Sequence, residues 1–215
     1  MSKPKVILFD VDGVLIRYRH NFTDELAEQG YEDAPRIIQP YYHADNTALY
    51  NEGKKAEEEV LEPFLGELGW KGSAKDYLDA QCAFARQHLD PALVSKIREI
   101  RSGGTLCYIA TNQGPHQGRF FREDLFKDSF DGHYISCDIG CKKDAAQFWN
   151  HVLQDLEDKR GILIPWDVVY FDDHEKNIEM ACGFGIQGYL FTGNLQFEND
   201  MNMLGFDVSL NKFFG

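Results

Sequence analysis

Four short apolar runs, at residues 6–9, 106–110, 133–136 and 168–171, are continuous rather than alternating, and a weaker fifth spans 187–191. Continuous runs of this length belong to strands covered on both faces. Each is bounded by Gly, Asp or Asn, residues that end a strand. Between them the period changes to that of a helix. Asp90-Pro91 reads as an N-cap with proline at the first helical position; Leu93, Ile97 and Ile100 follow on one face, and Gly103-Gly104 closes the segment. Asp144 precedes Phe148, Val152 and Leu156 at helical spacing, and residues 175–183 make a third helix. Strands alternating with helices predict an α/β fold, a doubly wound, Rossmann-like parallel sheet with right-handed crossovers.

Residues 16–90 break the alternation. They hold no strand-like run of comparable quality and several helical stretches, notably 54–68 and 74–88. This predicts a small α-helical domain inserted into a core formed by residues 1–15 and 91–215. The insertion carries 8 Lys or Arg against 15 Asp or Glu, so its outer face is expected to be strongly acidic. The tail after Phe191 reads as irregular structure with one short helix, and no internal repeat is visible.

Charge narrows the classes of partner. The chain has 215 residues and a formal net charge of -13, so nucleic acid, which needs clustered cations, is not an expected partner. With 43% hydrophobic residues, the chain can bury a core of roughly 70% of its unfolded surface. The bulk field also opposes small anions, so a phosphate site here needs local cations, backbone N–H groups or a metal. The five cysteines lack paired zinc spacing and read as reduced, small, buried hydrophobes; Cys137, Cys141 and His133 do not complete a tetrahedral set. The apolar run at 6–9 is far shorter than the ~20 residues of a spanning helix, which points to a soluble, cytoplasmic protein with no membrane partner. Oligomeric state is not legible.

Chemistry gathers at strand ends. In an open parallel sheet, ligands bind beyond the carboxyl ends of the strands. The first strand ends in Asp10-Val11-Asp12-Gly13-Val14, the second in Thr111-Asn112-Gln113-Gly114, and the fourth in Asp172-Asp173-His174-Glu175-Lys176-Asn177. Asp10 and Asp12 are two residues apart in extended chain and emerge on one side. With Asp172 and Asp173 they make an all-oxygen set suited to a hard cation such as Mg2+. Carboxylate attack on phosphorus is an established form of covalent catalysis, and a second carboxylic acid can serve as acid and base. Each piece also has a local reading: Asp-x-Asp-Gly is ordinary turn chemistry, and Thr111-Asn112 and Asp173 are competent helix caps. Those readings do not explain why all the pieces follow strands.

The pattern resembles the four motifs of the haloacid dehalogenase superfamily, in order. Asp10-x-Asp12-Gly13-Val14 corresponds to the first, Ile109-Ala110-Thr111-Asn112 to the second, residues 136–143 to the third, and Asp172-Asp173 with Asn177 to the fourth. The resemblance implies that Asp10 is nucleophile and metal ligand, and that Asp12 is general acid and base and offers its carbonyl to the metal. Thr111 and the Asn112 N–H would hold the phosphoryl group. A third-motif lysine would steady its oxygens. Lys143 aligns best, but Asp144 stands where the family usually has proline, which keeps Lys142 open. Asp173 would bind Mg2+ directly and Asp172 through water. The insertion corresponds to the family's cap. Arg17, Arg19 and His20 near the hinge, with Tyr41, Tyr42 and His43 in the cap, are candidate substrate contacts, Arg17 foremost; His174 reads as loop surface. The activity so implied is Mg2+-dependent hydrolysis of a small phosphorylated metabolite through an aspartyl-phosphate. A phosphomutase and a non-catalytic binding protein of the same fold are the alternatives, while Asp12 argues against a dehalogenase.

Overall fold

The computed structural model describes residues 3–161 and 164–210. Five parallel strands form one sheet: β1 (Val6–Phe9), β2 (Leu106–Thr111), β3 (Gly132–Ile135), β4 (Val168–Asp172) and β5 (Gln187–Leu190), in the order β3-β2-β1-β4-β5. The chain winds outward from β1 to β3 and then restarts on the other side at β4, so β1 lies at the switch point where doubly wound sheets open a crevice. Phe9 pairs with Ile109 on one side and Phe171 on the other, which brings the residues just beyond all three strands to one edge. The Asp10 N–H extends the ladder by donating to the Phe171 carbonyl at 2.9 Å.

The continuous apolar runs have the expected cause, since side chains alternate between two covered faces. Ile7 and Phe9 pack into one core with Leu93, Ile97 and Phe197, whereas Val6 and Leu8 pack into another with Phe148, Trp149 and Val152.

The chain leaving β1 first forms five α-helices that pack on one another: α1 (Phe22–Glu28), α2 (Ala34–Ile38), α3 (Ala44–Asn51), α4 (Glu57–Leu68) and α5 (Ala74–Gln87). They enclose a separate cluster that includes Leu26, Ile38, Tyr41, Leu61, Tyr77 and Leu78. Ser73 caps α5 through a capping box with Asp76. The linkers into and out of this unit run side by side. Ile16 bridges to Leu89, the Arg17 N–H donates to the His88 carbonyl, and the Asp90 N–H donates to the Leu15 carbonyl.

The remaining helices belong to the sheet layers: α6 (Pro91–Ser102), α7 (Pro115–Phe120), α8 (Ser136–Ile139), α9 (Ala146–Arg160), α10 (Glu175–Gly183) and α11 (Asn194–Met203). Asp90 caps α6 as its sequence implies, accepting from the Leu93 N–H at 3.0 Å. The other candidate caps are not used: α7 starts from Gly114 rather than Thr111 or Asn112, and α10 from His174, one after Asp173. α9 starts from Ala145, one residue after Asp144. The tail, expected to be mostly irregular, contains the ten-residue α11, whose Phe197 and Met201 are fully buried against β1 and β4 neighbours. The thiols also depart from expectation. Cys82 and Cys107 are buried, but Cys137 and Cys141 are half-buried and Cys182 is exposed; all five are free. Of the described residues, no helix is long and apolar enough to cross a membrane.

Candidate active site

The carboxyl edge of β1, β2 and β4 opens on a cavity of about 1040 Å³ lined by Asp10, Asp12, Gly13, Thr111, Lys143 and Asp173, among others. Asp10 is 6% exposed. Its Oδ1 accepts from the Val11 N–H at 2.8 Å and lies 2.7 Å from Lys143 Nζ. Asp12 is half-buried, with Tyr18 donating to Oδ1 at 3.1 Å and the Gln113 amide donating to Oδ2. Thr111 is buried at the end of β2.

The geometry distinguishes the two lysines. Lys143 is 1% exposed and lies 2.7 Å from both Asp10 Oδ1 and Asp172 Oδ2. Lys142 lies off the site, 3.7 Å from Asp144. Proline is not needed to hold Lys143, because its N–H donates to Asn112 Oδ1 at 2.9 Å and its carbonyl accepts from Trp149 Nε1 at 2.8 Å. Asn112, expected to contribute its backbone, therefore also braces the lysine with its side chain.

Asp172 differs from the expectation of a metal-facing carboxylate. It has no solvent exposure, and both oxygens are occupied. Oδ2 accepts from Lys143, Tyr170 and Asn177, and Oδ1 from the His174 N–H and Asn177. A carboxylate so saturated by donors has little left for a cation, and it stands behind the cavity as the counter-charge that aims Lys143. Asp173, one residue on, points the other way. Its carboxylate fills the space where a Cβ on Gly13 would be, and Gly13 has φ of +80°. That glycine is required twice over, for its left-handed backbone and for the approach of Asp173.

Arg17 lines the cavity, but its guanidinium is taken by Asp90 across the paired linkers. Arg19 is exposed, His20 pairs with Glu25 at 3.1 Å, and His43 lies 3.9 Å from Asp45. Tyr41 is buried in the inserted domain, stacked on Tyr50 with centroids 5.0 Å apart. His174 is exposed and pairs with Asp173 at 2.8 Å.

Electrostatics tie these groups together. Burial pushes the Asp10 carboxyl up, to about 7; Lys143 opposes the shift, and Asp172 and Asp12 add to it. Burial likewise raises Asp12 against the pull of its Gln113 and Tyr18 donors. Lys143 is disfavoured as a cation by burial, but Asp10 and Asp172 outweigh this and raise it. One buried ammonium serves both Asp10 and Asp172, and with Asp12 and Asp173 at the same edge the surplus negative charge suits a hard divalent cation. The donors fit such an ion: Asp10, Asp12 and Asp173 offer carboxylate oxygens around the Gly13 cradle. Asp172, Asp173 and His174 also cluster within 4.8 Å, but the saturation of Asp172 argues against that trio.

Residue types alone did not single out Glu57, Tyr18, Gln113 or Tyr170. Glu57, counted among the acids of an outer face, is 1% exposed at the start of α4. It accepts from the N–H groups of His116 and Gln117 at the head of α7, with its carboxylate in the space beside Gly114. His116 in turn reaches Asp79 at 2.9 Å, so α4 and α5 clasp the segment that follows Thr111. A glutamate at a helix start opposite a glycine is a faint signal, visible only once the two segments are known to meet.

A Rossmann-like sheet with paired carboxylates, a hydroxyl and a buried lysine at the edge of its central strands defines an α/β protein built for carboxylate chemistry. The chain belongs to the haloacid dehalogenase-like hydrolases, whose family pattern matches residues 4–185. It is 23% identical over 192 residues to the sesquiterpene phosphatase astK of Aspergillus oryzae, covering 89% of this chain and 91% of that one. A predicted HAD-like family hydrolase from Porphyromonas gingivalis shares the fold with a TM-score of 0.74 at 19% identity, covering 94% and 98% of the two chains. A HAD family enzyme from Bacteroides thetaiotaomicron, in complex with magnesium and inorganic phosphate, aligns with a TM-score of 0.69 at 19% identity over 89% and 96%.

Proposed function

We propose that this protein is a Mg2+-dependent phosphatase that hydrolyses a small phosphate monoester through an aspartyl-phosphate on Asp10. The observation that carries the reading is the position of Asp10, fixed through one oxygen by Lys143 and the Val11 N–H at the mouth of a carboxylate-lined cavity. Both contacts fall on Oδ1, and Oδ2 is the oxygen left to attack phosphorus in this reading. The likeness to a sesquiterpene phosphatase and to a fold that elsewhere holds magnesium and phosphate supports the same chemistry.

In the first step Asp10 Oδ2 bonds to phosphorus, the ester P–O bond breaks, and Asp12 gives its proton to the leaving oxygen. In the second, Asp12 takes a proton from water as the water oxygen bonds to phosphorus and the P–O bond to Asp10 breaks. Tyr18 and Gln113, one on each oxygen, hold Asp12 in place for both transfers. Lys143 and the Thr111 hydroxyl stabilise the equatorial oxygens. Asp10, the Asp12 carbonyl and Asp173 would hold Mg2+, with Asp172 acting through Lys143 rather than on the ion. When bound, the ion supplies charge neutralisation for the phosphoryl oxygens and the crowded carboxylates. The inserted helices serve as the cap, and Arg17 acts at its hinge through Asp90.

The test is phosphate release from an aryl phosphate and a panel of metabolite esters, with and without Mg2+, for the wild type and Asp10→Asn. Mg2+-dependent release that the substitution abolishes supports the reading. Release that survives it removes Asp10 from the mechanism.

A further inference from the structure

Two cavities meet at Asp12. The larger, described above, gathers the cations, with Lys143, Arg17, Lys176 and His174 on its walls. The second, of about 530 Å³, lies beneath the cap helices and shares only Asp12, Tyr18 and Asn112 with the first. Its size is that of a site for one small organic molecule.

The chemistry of its wall is different. Among the described residues, no lysine, arginine or histidine lines it, and its carboxylates are Asp12 and Asp24. A carboxylate or second phosphate on the alcohol half of a substrate would lose its water there, meet no counter-charge and face two acids. The remaining wall combines ring faces and amides. Tyr18 stacks on Phe84 with centroids 5.6 Å apart at 3°, and Phe22 lies beside them. Asn21, Gln39, Asn51 and Gln81 contribute amides. Gln81 sits among them, its Nε2 donating to the Tyr42 hydroxyl at 3.2 Å. Amides that give up their water to a ligand need polar groups on it in return, and hydroxyls supply both donors and acceptors. A hydrocarbon would seal the amides from water and leave them unpaired.

Building on the phosphatase reading, we infer that the substrate is the monophosphate of an uncharged, hydroxylated ring compound. The phosphoryl group occupies the cation-lined cavity and the alcohol half the cap cavity. Asp12 stands at their junction, where the bond between the two halves is cut.

The experiment is calorimetric binding to the Asp10→Asn protein with Mg2+ present, which needs no turnover, alongside phosphate release by the wild type. The ligands are hexose 6-phosphates, the corresponding 6-phosphoaldonates, which add a carboxylate at similar size, and an isoprenyl monophosphate. Hexose phosphates are expected to bind at least about tenfold more tightly than either comparator, a margin typical of unpaired polar or charged groups. Gln81→Leu should remove the preference over the isoprenyl ester, and Gln39→Lys should raise affinity for the aldonates selectively. Equal or tighter binding of the aldonates or the isoprenyl ester overturns the inference. If the binding order holds but no ester is hydrolysed, the phosphatase reading fails alone; if esters are hydrolysed without that order, this inference fails alone.

Discussion

Lys143 Nζ lies 2.7 Å from Oδ1 of Asp10, and both side chains are almost completely withdrawn from water. The ammonium is bound to two buried carboxylates, Asp10 and Asp172, so its removal leaves uncompensated charge in the core. Lys143→Met is therefore expected to cost roughly 3–5 kcal/mol in denaturant unfolding, as for other broken buried pairs. Adding Asp172→Asn should recover part of that loss without restoring phosphate release. A stability change confined to experimental error would show that the pair is not formed.

Gly13→Ala tests the cradle for Asp173. The substitution puts a methyl where the Asp173 carboxylate lies, at a backbone φ of +80°. The left-handed conformation alone costs about 1 kcal/mol for alanine. The displaced carboxylate should weaken Mg2+ binding by more than about tenfold, in line with losses seen when ligand positioning is disturbed. Calorimetric Mg2+ titration of the folded variant reads this directly. Unchanged affinity would take Asp173 out of the ligand set.

Glu57 links pH to the contact between α4 and α7. Burial raises its carboxyl from 4.5 to about 7, against the pull of the His116 and Gln117 N–H groups. A raised folded-state pKa favours the protonated fold, so the stabilisation is full below about 4.5 and is lost as pH rises through about 7. The span corresponds to about 3 kcal/mol. Glu57→Gln does not titrate, so its unfolding free energy relative to wild type should climb across that window and level off above it. A difference independent of pH would mean that Glu57 is solvated.

Arg17 separates a hinge clasp from a substrate contact. Its guanidinium pairs with Asp90, which also caps α6. Since the arginine side chain is 40% exposed, Arg17→Ala should cost no more than about 1 kcal/mol. KM for a hydrolysed ester should stay within about twofold, since a residue that leaves uniform binding intact leaves KM intact. A large rise in KM with kcat preserved would assign it to the phosphate instead.

Much of this architecture is visible along the chain because it rests on local pattern. Val6–Phe9 reads as a strand since both faces of the sheet are covered, and Asp90-Pro91 reads as a helix start since the cap bond is made within three residues. α11 is less legible. Its buried Phe197 and Met201 stand among Asn, Asp and Glu, and only packing on the sheet gives that weak pattern a direction.

The sequence by itself determined the alternation of strands and helices, the helical stretch between the first two strands, and the residue types at the strand ends: Asp10, Asp12, Thr111, Asp172 and Asp173. These depend on periodicity and on neighbours a few residues apart. Only the tertiary structure decided that Lys143 and not Lys142 meets Asp10, that Asp172 spends its oxygens on Lys143, Tyr170 and Asn177, and that Glu57 is buried against α7. It also decided that Asp12 stands between a cavity lined by cations as well as carboxylates and one whose described walls carry no cation. Desolvation and hydrogen-bond saturation arise between segments tens of residues apart, and no local pattern in either segment carries the distance between them.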